Sequence, residues 1–188
     1  RRQRQMCIRD RPSLAGVALV LLVVFEIVGV RTRNRDYLDP AALWAQVVER
    51  RPDHWRSLAN RAAVRMLEGR HEEAVADLVA AERLQPGNPT VQLNLAVVDV
   101  QAGRAVEALD RLRLVGLVRS DDPVFLATRG DARRAVGRFE GAEADYRRLV
   151  DLEPSDVRAR LAWGGCLFDL GRLEEAAREF GIAASLSD

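Results

Sequence analysis

Lysine is missing from this chain: all 29 basic residues are arginine. That uniformity reads as the imprint of a GC-rich coding sequence, and no function is drawn from it. Cysteine and histidine are scarce as well, with two of each. Cys7 and Cys166 lie in unlike contexts and by themselves form neither a disulfide framework nor a metal cluster. Cys166, in an apolar stretch, reads as a small buried hydrophobe. His54 and His71 stand 17 apart, which suits neither a metal site nor a nucleophile–base pair, and each falls at a helix start. No glycine-rich phosphate loop occurs. Basic charge is not spread over the chain either. Residues 1–36 hold 8 Arg against 3 acids, while residues 37–188 hold 21 against 25, so the larger part is mildly acidic. A general nucleic-acid binder needs a broad basic face, and this chain has none. The acid pairs Glu72/Glu73, Asp121/Asp122 and Glu174/Glu175 sit at helix starts or in a loop, where they favour the positive end of a helix dipole. No catalytic residue, metal site, cofactor or small-molecule substrate is expected from the residues present.

What the chain does have begins with an apolar run, "SLAGVALVLLVVFEIVGV", Ser13–Val30, interrupted only by Glu26 and flanked by Arg. From Leu14 to Val30 are 17 residues, about 25 Å as a helix, near the lower limit for spanning a hydrocarbon core of about 30 Å. Residues 13–30 are therefore expected to be a transmembrane helix. A cleaved signal peptide is disfavoured because no small-x-small site precedes the following charges. A buried soluble helix is disfavoured because nothing polar marks a solvent face. Arg31, Arg33 and Arg35 favour a cytoplasmic C-terminal side when the opening residues are discounted, and Arg9 and Arg11 bring the count near a tie when they are kept. The expected location is a membrane, the bacterial inner membrane, with the side of the remaining chain undecided.

After a linker and one amphipathic helix in residues 31–52, begun by Asp39 and Pro40 with Leu43, Trp44, Val47 and Val48 inward, a motif repeats. "GRHEEA", "GRAVEA", "GRFEGA" and "GRLEEA" begin at Gly69, Gly103, Gly137 and Gly171, an interval of 34. Each glycine falls where a helix must stop and turn, the position for a left-handed cap. Pro86 and Pro154 close second helices. Ala74, Ala108, Ala142 and Ala176 are each followed four residues later by Leu78, Leu112, Tyr146 and Phe180, on one helix face. The small residue lets two helices approach and the large one fills the space beside it.

This series resembles the tetratricopeptide repeat family, with the early small position at Ala62, Ala96, Gly130 and Gly164, and the late one at Ala81 and Ala183, where Val115 and Leu149 depart from it. The resemblance implies an all-α, right-handed solenoid over residues 53–188, in units 53–86, 87–122, 123–154 and 155–188. Unit two lacks the closing proline, so its second helix or the following loop is expected to be irregular. Two further resemblances concern the chain's first part. Residues 1–11, within a segment 1–12 read as non-native or disordered, resemble a translated sequencing adapter, which would make the chain a fragment. "RTRNRDYLDPAALWAQVVERRPDHW" resembles the junction before the repeats in multi-span membrane glycosyltransferases of the O-mannosyltransferase type.

Stacked repeats share one core and leave a concave surface built from the first helix of each pair. The family implies a groove including Arg56, Asn60, Ala63, Leu67, Asn94, Val97, Gln101, Thr128, Asp131, Arg134, Arg158 and Asp169. Positions by which relatives clamp a chaperone's terminal carboxylate read Ala59, Ala63, Leu93 and Val97, which speaks against that ligand. The expected function is a membrane-anchored, non-catalytic scaffold that binds an extended peptide or a partner helix in this groove. The alternative is the C-terminal part of a membrane glycosyltransferase whose repeats present acceptor proteins.

Overall fold

The computed structural model describes residues 39–187, together with Leu22, Val23 and Phe25. The expected span Ser13–Val30 and the segment before it lie otherwise outside the described residues. Among those described, no helix is long and apolar enough to cross a membrane. The described chain is helical, without strands: α1 (Pro40–Arg50), α2 (Trp55–Leu67), α3 (His71–Leu84), α4 (Pro89–Gln101), α5 (Ala105–Val115), α6 (Pro123–Ala135), α7 (Phe139–Leu152), α8 (Val157–Asp169) and α9 (Leu173–Ser185). From α2 onward these form four hairpins, each packed on the next.

Start signals recur with the 34-residue period from Asn88 onward and stop signals from Gly69 onward, and Asp39 adds a start signal outside that period. Asp39, Asn88, Asp122 and Asp156 accept hydrogen bonds from the first free amides of α1, α4, α6 and α8, supplying acceptors that an open helix end lacks. Within each hairpin the turn glycine, Gly69, Gly103, Gly137 or Gly171, has φ of 75° or 76°. The amide after it donates to a carbonyl five residues back, as Arg70 does to Arg65 and Arg138 to Arg133, which closes the helix. Unit two differs at its end: α5 runs only 11 residues, against 14 in α3 and α7. Gly116 follows it in a right-handed conformation, and no proline closes the helix.

Each hairpin is closed by a matched pair. Ala62 faces the second helix bearing Leu78, and Ala96 the one bearing Leu112, all four buried. Where the second helix carries an aromatic ring, the first carries glycine. A methyl group added at Gly130 would lie 2.7 Å from the Tyr146 ring, and one at Gly164 would lie 2.6 Å from Phe180. Volume is thus conserved across the pair while its division between helices changes, which a core packed to crystal density requires. Helix α4 is covered on both sides. It sends Val91, Leu95 and Val98 into the core of unit one, with Leu58 of α2 and Val48 of α1, and Leu93 and Ala96 into a second core with Leu112, Phe125 and Leu126. This is why its sequence is apolar nearly all round.

Charged pairs tie the hairpins as well. Arg61 and Arg65 of α2 both donate to Asp77 of α3. Arg129 and Arg133 of α6 do the same to Asp145 of α7, two periods further on. In unit two the polarity is exchanged: Asp99 of the first helix receives Arg111 of the second and Arg104 of the turn. Each of these carboxylates is nearly buried, so two guanidinium partners satisfy oxygens that water does not reach.

Candidate binding groove

The first helices α4, α6 and α8 bound an open hollow of about 430 Å³. Val97, Val124, Ala127, Ala159 and Ala162 give it an apolar floor, with Leu149 of α7 behind them. Its polar groups are Thr128, Asp131, Glu153, Asp156, Arg158 and the hydroxyl of Tyr146. Of the expected groove positions, Val97, Thr128, Asp131 and Arg158 meet here. Arg134, Asp169 and Asp131 line a second hollow, while Gln101 borders a third together with His71, Val75 and Arg104. Arg56, Asn60, Ala63, Leu67 and Asn94 border none of these three. Arg56 lies over the Trp55 ring instead, at 5.1 Å.

Several of these side chains are already engaged. The Thr128 hydroxyl donates to the Val124 carbonyl at 2.6 Å, so it serves its own helix. Arg134 donates to Asp169, joining units three and four across the concave side and cancelling one charge of each sign. Asp131 is differently placed. Its carboxylate accepts the Tyr146 hydroxyl at 2.6 Å, and among the described residues no arginine stands within ion-pair distance of it. The residue is open to the hollow, yet its carboxyl end is closely surrounded. Burial holds that carboxyl above the ordinary aspartate range, against the opposing pull of the Tyr146 hydrogen bond and the Arg134 charge. The same burial, with the Asp131 charge next in weight, raises the Tyr146 phenol well above its ordinary value.

Four contributors from outside the first helices were not foreseen: Tyr146, Leu149 and Glu153, on or just past α7, and Asp156, just before α8. Leu149 carried a signal, since it departs from the small residue of units one and four and so reaches further. Cys166 is buried, its thiol donating to the Phe139 carbonyl at 3.3 Å. Burial pushes that thiol up to about 11, the behaviour of a packing cysteine.

Antiparallel helix pairs with a 34-residue period, stacked around a lined hollow, define a helical-repeat binding protein. Tetratricopeptide repeat profiles match residues 31–89 and 128–184, and a second such profile matches 65–131. The chain belongs to the tetratricopeptide repeat family. Among known proteins it is 32% identical over 65 residues to an uncharacterised TPR repeat-containing protein of Arabidopsis thaliana, spanning only 8% of that relative's length. Similar solved folds include PilW, a type IV pilus biogenesis factor (TM-score 0.69, 16% identity, 86% of this chain and 75% of that one). MamA from Desulfovibrio magneticus RS-1 is another (0.64, 16%, 79% and 96%), as is the Cut9–Hcn1 assembly of the APC/C (0.69, 18%, 78% and 30%). At these identities the likeness is one of fold.

Proposed function

We propose that this protein is a protein-interaction scaffold whose repeats hold an extended peptide segment of a partner in the hollow between α4, α6 and α8. The observation that carries this reading is the hollow itself: three successive units give it a continuous apolar floor with polar groups at its edge. Such a surface suits aliphatic anchors on an extended chain better than a flat helix face, because the anchors are small and successive. The supporting facts are family membership and an apolar floor that offers contact area to a bound chain. A random dodecamer library panned on the whole chain tests it. Binders lost on Ala127→Arg and kept on Arg147→Ala support the groove; binders indifferent to Ala127→Arg overturn it.

The scaffold is further proposed to be tethered by residues 13–30, with the repeats on the cytoplasmic side favoured by Arg31, Arg33 and Arg35. Deleting residues 13–30 is expected to release the repeats from sedimented membranes. Continued sedimentation of the truncated chain would remove the anchor from the proposal. The glycosyltransferase reading gains no support from the matches to known proteins and rests on the junction resemblance alone.

A further inference from the structure

Asp77, Asp99 and Asp145 each receive two arginines. Asp131 receives none among the described residues, although it is fixed in place by Tyr146 and surrounded closely enough to raise its pKa. Its nearest candidate partner on the same helix, Arg134, is committed to Asp169. Asp131 is also the residue common to the main hollow and the second one, so a chain lying along the concave side passes it. Around the main hollow stand three carboxylates, Asp131, Glu153 and Asp156, against the single guanidinium of Arg158.

Resting on the groove reading above, we propose that the partner segment places a lysine or arginine side chain against Asp131, with small aliphatic residues on either side lying over Val97, Ala127 and Ala162. The chemistry is that of a preorganised acceptor lacking its cation. The Tyr146 hydroxyl bonds one carboxylate oxygen, Oδ1, while the residue itself lines the hollow, and a charge-assisted bond made to that carboxylate is stronger than one between neutral groups. An acidic segment is rejected by the same three carboxylates.

The test extends the panning experiment. Peptides enriched on the wild-type chain and lost on Ala127→Arg are sequenced, and the commonest is synthesised with its basic residue intact or replaced by norleucine. Circular dichroism verifies that each protein variant is folded, with Ala162→Arg as a second block of the floor. A lysine or arginine is expected at one fixed position. Norleucine replacement and Asp131→Asn are each expected to weaken binding about tenfold, the two together little more than either alone. Asparagine still accepts the Tyr146 hydroxyl, so the variant changes charge before shape. Groove-dependent peptides without a basic residue, or equal affinity for the norleucine peptide, would overturn this inference and leave the groove reading standing. If no peptide depends on Ala127 or Ala162, both readings fall.

Discussion

Replacing Gly130 by alanine sets two effects against each other. Alanine is the better helix former by about 1 kcal/mol, but its methyl group would stand 2.7, 2.9 and 3.0 Å from three ring carbons of Tyr146. Those are aromatic atoms of a ring 1% exposed and tethered through its hydroxyl to Asp131, so it cannot swing away freely. Overpacking of this kind costs about 1–3 kcal/mol, and sterics win: Gly130→Ala is expected to destabilise by about 1 kcal/mol. Tyr146→Leu alone leaves a void and is expected to cost about 2–3 kcal/mol. Combined, the two rebuild the Ala62/Leu78 pairing of unit one, and the methyl occupies part of the void. The double variant should therefore be more stable than the sum of the singles requires, with a coupling of about 1–2 kcal/mol. Urea unfolding of all four proteins, followed by circular dichroism, measures it; each kcal/mol corresponds to about 2–4 °C in melting temperature for a chain of this length. Costs that add to within about 0.3 kcal/mol would refute the view that volume is traded across the helix pair.

Other perturbations follow from the same contacts. Ala142→Leu, at a fully buried position on α7, is expected to lose about 1–3 kcal/mol, whereas Arg147→Ala, exposed and only 3.9 Å from Glu143 as its ion pair, should stay within about 0.5 kcal/mol; equal melting temperatures would count against the helix register. Asp145→Ala leaves Arg129 and Arg133 facing a buried gap, and with both guanidiniums partly solvated the cost is expected near 2 kcal/mol in urea unfolding, while no change would mean that water replaces the carboxylate. In a Cys7→Ser background, Cys166 is expected to resist a thiol reagent at pH 8, since its raised pKa keeps the thiolate scarce and its burial bars access; labelling as fast as in the urea-unfolded chain would contradict the packing.

Much of the fold was legible because it is written four times. The turn glycines, the small residues and the large residues four positions on recur at 34, and a feature present in every copy stands out against local variation. The ion networks obey the same period: Arg61, Arg65 and Asp77 return as Arg129, Arg133 and Asp145, and unit two exchanges the signs through Asp99 and Arg111. They escaped a reading made helix by helix, yet comparison of units one and three reveals them. The caps Asn88, Asp122 and Asp156 are readable in the same way. The groove was legible only in part. Val97, Thr128, Asp131 and Arg158 belong to the concave helices, but the contribution of Leu149 and Glu153 from α7 depends on how far one unit is rotated against the next, which a period cannot encode. The pairing of Arg134 with Asp169, 35 residues apart, depends on the same rotation.

One residue joins the core to the groove. The positions equivalent to Asp131 in the other units are Ala63, Val97 and Gly165, and none of them accepts a hydrogen bond through its side chain. The aromatic or aliphatic residue packed beside each is Leu78, Leu112 or Phe180, none with a hydroxyl. Only unit three pairs an acid in the hollow with a phenol behind it. Tyr146 thus fills the space over Gly130 with its ring and orients the carboxylate with its hydroxyl, two tasks that a single substitution separates. Tyr146→Phe keeps the ring and is expected to cost about 1 kcal/mol of stability for the lost hydrogen bond. It is also expected to weaken binding of the basic peptide several-fold while leaving its norleucine analogue unaffected, because Asp131 remains charged but is no longer held toward the hollow. If Tyr146→Phe binds the basic peptide as tightly as the wild type while Asp131→Asn does not, the phenol serves packing alone, and the carboxylate finds its direction without it.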